Sequence, residues 1–139
     1  MPLVAWSDKY SVGIESVDSQ HFVLFEILNE LNIAMLQGQP HAVTGYLLAK
    51  LLKYTRDHFS GEEAIMAASG YPGLKAHKTL HRELTHQVED YIARHKAAED
   101  RSEPAVNPQM LSFLRDWLTH HIQTVDREAG PWMNKHGVE

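Results

Sequence analysis

Glycine and proline gather at four places in the chain: Gly38-Gln39-Pro40, Ser69 through Gly73, Arg101 through Pro108, and Gly130-Pro131. Between these breaks, apolar residues recur every three or four positions, the spacing of one face of an α-helix. No stretch alternates apolar and polar residues as a half-buried strand does. The spacing predicts four helices. The first starts near Ser16–Ser19 and ends about Gln37, with Phe22, Phe25, Leu28, Leu31 and Met35 inward. The second runs from about His41 to Ala68, with Leu47, Leu51, Tyr54, His58, Glu62 and Ile65 on its stripe. The third runs from Pro72 or Leu74 to Ala98 and carries His77, His81, Leu84, Val88 and Ile92. The fourth opens at Asn107-Pro108, a capping residue followed by proline in the first turn, and ends around Gly130 or just beyond. Its stripe is Met110, Leu114, Trp117 and His121.

Four helices of roughly 20–28 residues joined mostly by short turns make an all-α, antiparallel, up-down-up-down four-helix bundle. The expected bundle covers about 16–136, and an extended N-terminal arm covers about 1–15, anchored by Trp6 and Tyr10. The 139 residues suit a single domain.

Composition removes several classes of function. There is no cysteine, which excludes disulfides, thiolate zinc sites and cysteine-held iron–sulfur clusters. The net charge of −5 gives no basic surface for a nucleic acid. The start has no basic leader, and no apolar run approaches the ~18 residues that cross a bilayer. The expectation is a cytoplasmic protein with no membrane and no nucleic-acid partner. The unusual count is ten histidines.

Their spacing is more informative than their number. His58 and Glu62 are four residues apart, as are His77 and His81. On a helix such pairs lie only about 40° apart, so both side chains reach one point. Both pairs fall on apolar stripes, where imidazoles and carboxylates are costly unless paired or metal-bound. His21 heads the first helix, and His121 precedes Asp126 by five residues on the fourth. Five residues is about 140° on a regular helix, so that pair converges only if Asp126 reaches in from a later turn or a π-bulge widens the helix. Taken alone, His21 reads as a packed core residue. Taken together, every helix offers metal-type donors to one interior. Five imidazoles and two carboxylates are too many for one ion with an open position. They suit two ions bridged by the carboxylates, with iron, manganese or zinc as candidates. A ferritin-like di-iron pattern fails on count, since Glu83-Leu84-Thr85-His86 is the one helical Glu-x-x-His.

The segments Val12-Gly13-Ile14 and Asp18-Ser19-Gln20-His21, His58-Phe59-Ser60-Gly61-Glu62-Glu63-Ala64-Ile65-Met66, Gly70-Tyr71-Pro72, His77 with His81, and Trp117-Leu118-Thr119-His120-His121-Ile122 with Asp126 together resemble the hemerythrin family, its bacteriohemerythrin branch in particular. The resemblance covers most of the chain. It implies two iron ions (Fe2+/Fe3+) with an oxo or hydroxo bridge. One iron would be held by His77, His81 and His121, the other by His21 and His58, with Glu62 and Asp126 bridging. It also implies reversible binding of dioxygen, as a hydroperoxide, at the iron with the open position. The ligand pocket implied is Leu24, Phe59, Trp117, Leu118 and Ile122. The family's five-residue step selects His121 rather than His120.

The implied role is oxygen storage, delivery or scavenging, not enzymatic turnover. The alternatives are an oxygen or redox sensor acting through an unidentified protein partner, and a di-iron enzyme reducing nitric oxide or peroxide. With no output module expected after the bundle, a sensor would need that partner. His41, His86, His95, His120 and His136 fall outside the pattern and are expected mostly at the surface. Glu63 points about 100° away from Glu62 and is expected to be solvated or hydrogen-bonding.

Overall fold

The computed structural model describes residues 2–98 and 106–137. The helices are α1 (Glu15–Leu36), α2 (His41–Ser69), α3 (Leu74–Ala97), α4 (Pro108–His121) and α5 (Arg127–Lys135). A π-helical segment, Ile122–Asp126, joins α4 to α5 without a break, so these three form the fourth column of the bundle. The architecture is an antiparallel four-helix bundle, as the spacing predicts. Most of the loop expected between Ala97 and Asn107 lies outside the described residues.

Local signals set several boundaries. The Asn107 side chain accepts a hydrogen bond from the Met110 backbone N–H, capping α4, and Pro108 occupies the first turn. The last column runs past Gly130-Pro131 to Lys135. Burial of Ala129 and Met133, and a hydrogen bond from Trp132 Nε1 to the Ser69 carbonyl at 3.1 Å, hold it helical through those breakers.

The core is an apolar column in which Ile14, Leu31, Leu48, Met66, Ile122 and Met133 are fully enclosed. Each side chain of this size stabilises the fold by about 1.5–3 kcal/mol when removed from water. Two residues assigned to the inward stripes face outward instead: Phe22 is 45% exposed and Tyr54 is 42% exposed. The inward positions beside them are taken by His21 and Thr55, which are buried. Hydrophobicity marks the wrong neighbour because the inward residue there is polar.

The arm lies on the bundle as expected, with one 3-10 turn at Asp8–Tyr10. Trp6 packs 5.5 Å from Phe25, and Tyr10 meets Phe25 edge-on at 5.0 Å. Asp18 accepts hydrogen bonds from the Ser11 hydroxyl at 2.6 Å and the Val12 N–H at 2.9 Å. Asn134 donates to the Gly13 carbonyl at 3.0 Å, and Arg127 donates to the Lys9 carbonyl. The arm therefore ties the start of α1, which carries His21, to α5, which follows Asp126.

Candidate metal centre

Four parts of the fold supply the centre: His21 from α1, His58 and Glu62 from α2, His77 and His81 from α3, and His121 with Asp126 from the last column. All seven are buried. The seven residues predicted from spacing and resemblance thus meet at one place. The five-residue step from His121 to Asp126 works because the helix is widened there: the π-helical segment falls between the two residues.

The donor atoms divide into two sets. Glu62, His77, His81, His121 and Asp126 each offer an atom to the first, and His21, His58, Glu62 and Asp126 to the second, with the atoms of a set within 4.8 Å of one another. Each carboxylate is split between them. Glu62 Oε1 lies 2.7 Å from His77 Nε2 and 3.5 Å from His81 Nε2, while Oε2 lies 3.2 Å from His58 Nε2. Asp126 Oδ1 lies 2.8 Å from His77 Nε2 and 3.1 Å from His121 Nε2, while Oδ2 lies 3.1 Å from His21 Nε2. Adjacent donors around an ion with bonds of about 2.1 Å stand about 3 Å apart, so these separations suit a shared ion.

Several of these atoms are buried without a hydrogen bond: Nε2 of His21 and His58, both Glu62 oxygens and Asp126 Oδ2. Unsatisfied buried polar atoms cost about 1–3 kcal/mol each, and charged ones more. Here they are close to one another yet misaligned for hydrogen bonding, as donors aimed at a common centre are. The donor set of imidazole and carboxylate fits a metal pair.

Aromatic rings stack on two of the candidate donors. Phe59 stacks on His81 at 3.7 Å with planes 2° apart, and Trp117 stacks on His121 at 4.7 Å and 14°. Leu24 and Leu118 line a narrow cavity with Leu51, Thr55, Leu84 and Leu114. Its free space of about 10 Å³ is about what one water needs. Ile122 is fully buried in the π-helical segment. The five residues of the implied ligand pocket thus divide: two line the cavity, two stack on histidines, and one is buried in the π-helical segment.

Without metal, burial and neighbouring charges shift four members of the cluster. Burial alone pushes the His77 imidazolium down, but the Asp126 hydrogen bond and the Glu62 carboxylate outweigh it and raise His77 from 6.5 to about 9. Burial and the Asp126 charge push Glu62 up, yet contacts with His58, His77 and His81 hold it well below the usual carboxylate range. At Asp126, burial is outweighed by His121, His21 and His77, and the carboxyl is held far down. At His121, burial wins and the imidazole is lowered.

The consequence for pH follows from linkage. Stabilisation from a raised histidine is complete below 6.5 and disappears as pH climbs through about 9. Stabilisation from the lowered carboxylates is present above their ordinary values and disappears in acid. His121 steepens the acid loss, because below 6.5 the unfolded chain gains a proton that folded His121 resists. The melting temperature of the metal-free protein should therefore fall between pH 7 and 9. Metal ligation needs unprotonated imidazoles, so loading at pH 7 should release the His77 proton to an indicator dye. Loading without proton release would mean that His77 is already neutral.

The comparisons with known proteins identify the scaffold. The family model described as "Hemerythrin HHE cation binding domain" matches residues 12–133. The chain belongs to the hemerythrin family. It is 34% identical to a bacteriohemerythrin of Stenotrophomonas maltophilia (strain R551-3) over 136 residues, 98% of this chain and 85% of that protein. It is 31% identical to a bacteriohemerythrin of Methylococcus capsulatus over 135 residues, 96% of this chain and 99% of that protein. A crystal structure of wild-type hemerythrin superposes with a TM-score of 0.86 at 32% identity, covering 94% of this chain and 98% of that one.

Two residues of this hemerythrin-family chain hold candidate donor histidines without having been assigned to them from the sequence. His58 Nδ1 donates to Gln20 Oε1 at 2.5 Å, and His81 Nδ1 donates to Glu63 Oε2 at 2.8 Å. These bonds place the ring proton on Nδ1 and turn the Nε2 lone pair inward. The sequence signals are adjacency, since Gln20 precedes His21 and Glu63 follows Glu62, and the expectation that Glu63 is solvated or hydrogen-bonding, which its bond to His81 bears out. Of the remaining histidines, His86, His120 and His136 are exposed as expected. His95 is not. It is buried, stacks on His41 at 3.6 Å, and bonds through Nε2 to the His41 carbonyl at 2.8 Å. Gly45 leaves room for it: a Cβ there would lie 3.2 Å from His95 Nε2.

Proposed function

We propose that this hemerythrin-family chain binds dioxygen reversibly at a non-haem pair of iron ions, as a storage, delivery or scavenging protein rather than an enzyme. The observation that carries the proposal is the division of Glu62 and Asp126, each with one oxygen beside the His77, His81 and His121 set and the other beside the His21 and His58 set. The first set has five donors and the second four, so an open position belongs beside His21 and His58. When bound, the iron pair supplies that open position and a reversible electron source. The chain's residues do the rest. Gln20 and Glu63 hold the Nδ1 protons of His58 and His81, which keeps both rings in the ligating tautomer. Phe59 and Trp117 prevent ring rotation. Leu24, Leu118 and their neighbours line a small cavity that is apolar apart from Thr55, a lining that would restrain proton access.

The 139 residues read as one domain, an arm over about 1–15 and a bundle over about 16–136. Among the described residues no helix is long and apolar enough to cross a membrane, and a cytoplasmic location fits. The deciding experiment is iron analysis with absorption spectra in the presence and absence of oxygen. About two irons per chain and a charge-transfer band that vanishes on deoxygenation are expected. One metal per chain, tight zinc without colour, or a spectrum indifferent to oxygen would sink the proposal. Rapid multiple turnover of nitric oxide or peroxide would make the protein an enzyme instead.

A further inference from the structure

The two halves of the centre are backed by different chemistry. His81, in the five-donor set, donates its Nδ1 proton to the carboxylate of Glu63 at 2.8 Å. His58, in the four-donor set, donates its Nδ1 proton to the neutral amide oxygen of Gln20 at 2.5 Å. Both partners approach from the periphery: the Glu63 side chain is 24% exposed and Gln20 is exposed. The ligand histidines they hold are 2% and 4% exposed.

We propose that Glu63 and Gln20 make the halves unequal, so that the His77, His81 and His121 set takes metal first and holds it tighter, and the His21 and His58 set takes metal second and exchanges it. This inference rests on the two-metal reading. Two effects act in one direction. The first set has three imidazoles against two, beside the same pair of carboxylates. The second effect is charge. A metal on Nε2 makes the Nδ1 proton more acidic, and a carboxylate partner then shares that proton and leaves the ring more anionic. Gln20 orients His58 without adding charge. Phe59, stacked on His81, keeps that ring aligned between Glu63 and the centre. Glu63 and Gln20 are positioning residues, acting through the ligands they touch.

The test is anaerobic titration of the metal-free protein with ferrous ion against a competing chelator. The wild type should fill in two steps. Glu63→Gln keeps an acceptor but removes the charge, and should weaken the first step about 10–100-fold while sparing the second. Glu63→Ala should weaken it at least as much. Gln20→Glu should tighten the second step and narrow the gap. His58→Ala should delete the second step and leave the first. Helical circular dichroism of each metal-free variant reports whether it folds. If Glu63→Gln fails to fold, Gln20→Glu decides alone, and no tightening overturns the inference. If Glu63→Gln folds and binds like the wild type, Glu63 merely props the ring, and the charge argument is overturned. Weakening of the second step rather than the first overturns it too. Uptake of two ions in a single step by the wild type overturns this inference alone. Uptake of only one overturns the two-metal reading, and this inference with it.

Discussion

Replacing Glu62 with alanine should strip both halves of the centre, taking the protein from about two metal ions per chain to none that survive a desalting column. The size of the effect follows from the split carboxylate. Oε1 stands 2.7 Å from His77 Nε2 and Oε2 stands 3.2 Å from His58 Nε2, so one substitution removes a donor from each set. It also removes a negative charge that the histidines crowd around, leaving Asp126 to balance the metals alone. His77→Ala and His81→Ala should likewise abolish assembly of the pair, since both belong to the five-donor set. His120→Ala is the control. His120 is exposed and precedes the buried His121 by one residue, about 100° away around the helix. It should keep its full metal content. Retention of both metals by Glu62→Ala or His77→Ala would show that the ligand set is wrong. Loss of metal in His120→Ala would show that the adjacent histidine was misassigned.

The second large effect is expected where nothing chemical happens. Gly130 lies in α5, and a Cβ built on it would sit 2.2 Å from the Val12 carbonyl oxygen. That is far inside van der Waals contact, and the obstacle is backbone. In an exposed helix, glycine to alanine stabilises by about 1 kcal/mol. Here the sign should reverse, because the arm must lift or α5 must retreat. The expected loss is about 1–3 kcal/mol, or roughly 3–12 °C in melting temperature. Gly61 provides the contrast, since it lies in α2 and a Cβ added to it would meet nothing within 4 Å. Gly61→Ala should raise the melting temperature slightly. Thermal melts of the two metal-free variants check both signs. If Gly130→Ala melts at or above the wild type, the arm does not press on α5. The arm also borders the turn that presents Asp126, so Gly130→Ala should release metal to a chelator faster than the wild type does.

Much of this protein is legible in one dimension because its chemistry repeats at helical spacing. The pairs His58/Glu62 and His77/His81 need no tertiary knowledge, since four residues on a helix always share a face. Asn107-Pro108 starts α4 by local hydrogen bonding alone. Phe22 and Tyr54 escape the inward stripes for a physical reason. Apolar periodicity assumes that the inward residue is apolar, and beside each of them the inward residue is polar. His95 is buried against expectation for a related reason, since a histidine with no spaced partner reads as a surface residue. Its partners, the His41 ring and carbonyl, come from 54 residues away.

Spacing, which is local, is enough for the helices and for the pairs His58/Glu62 and His77/His81; the resemblance to hemerythrins is what completes the seven candidate donors and points to the family. The tertiary structure decided which oxygen of Glu62 and Asp126 faces which histidines, because that depends on where four separate helices stop relative to one another. It also decided that the five residues from His121 to Asp126 close through a π-helical segment, one of the two routes that spacing left open. Finally, it paired His81 with a charged Glu63 and His58 with a neutral Gln20. Those contacts span 18 and 38 residues and exist only once the helices pack, so no local pattern encodes them.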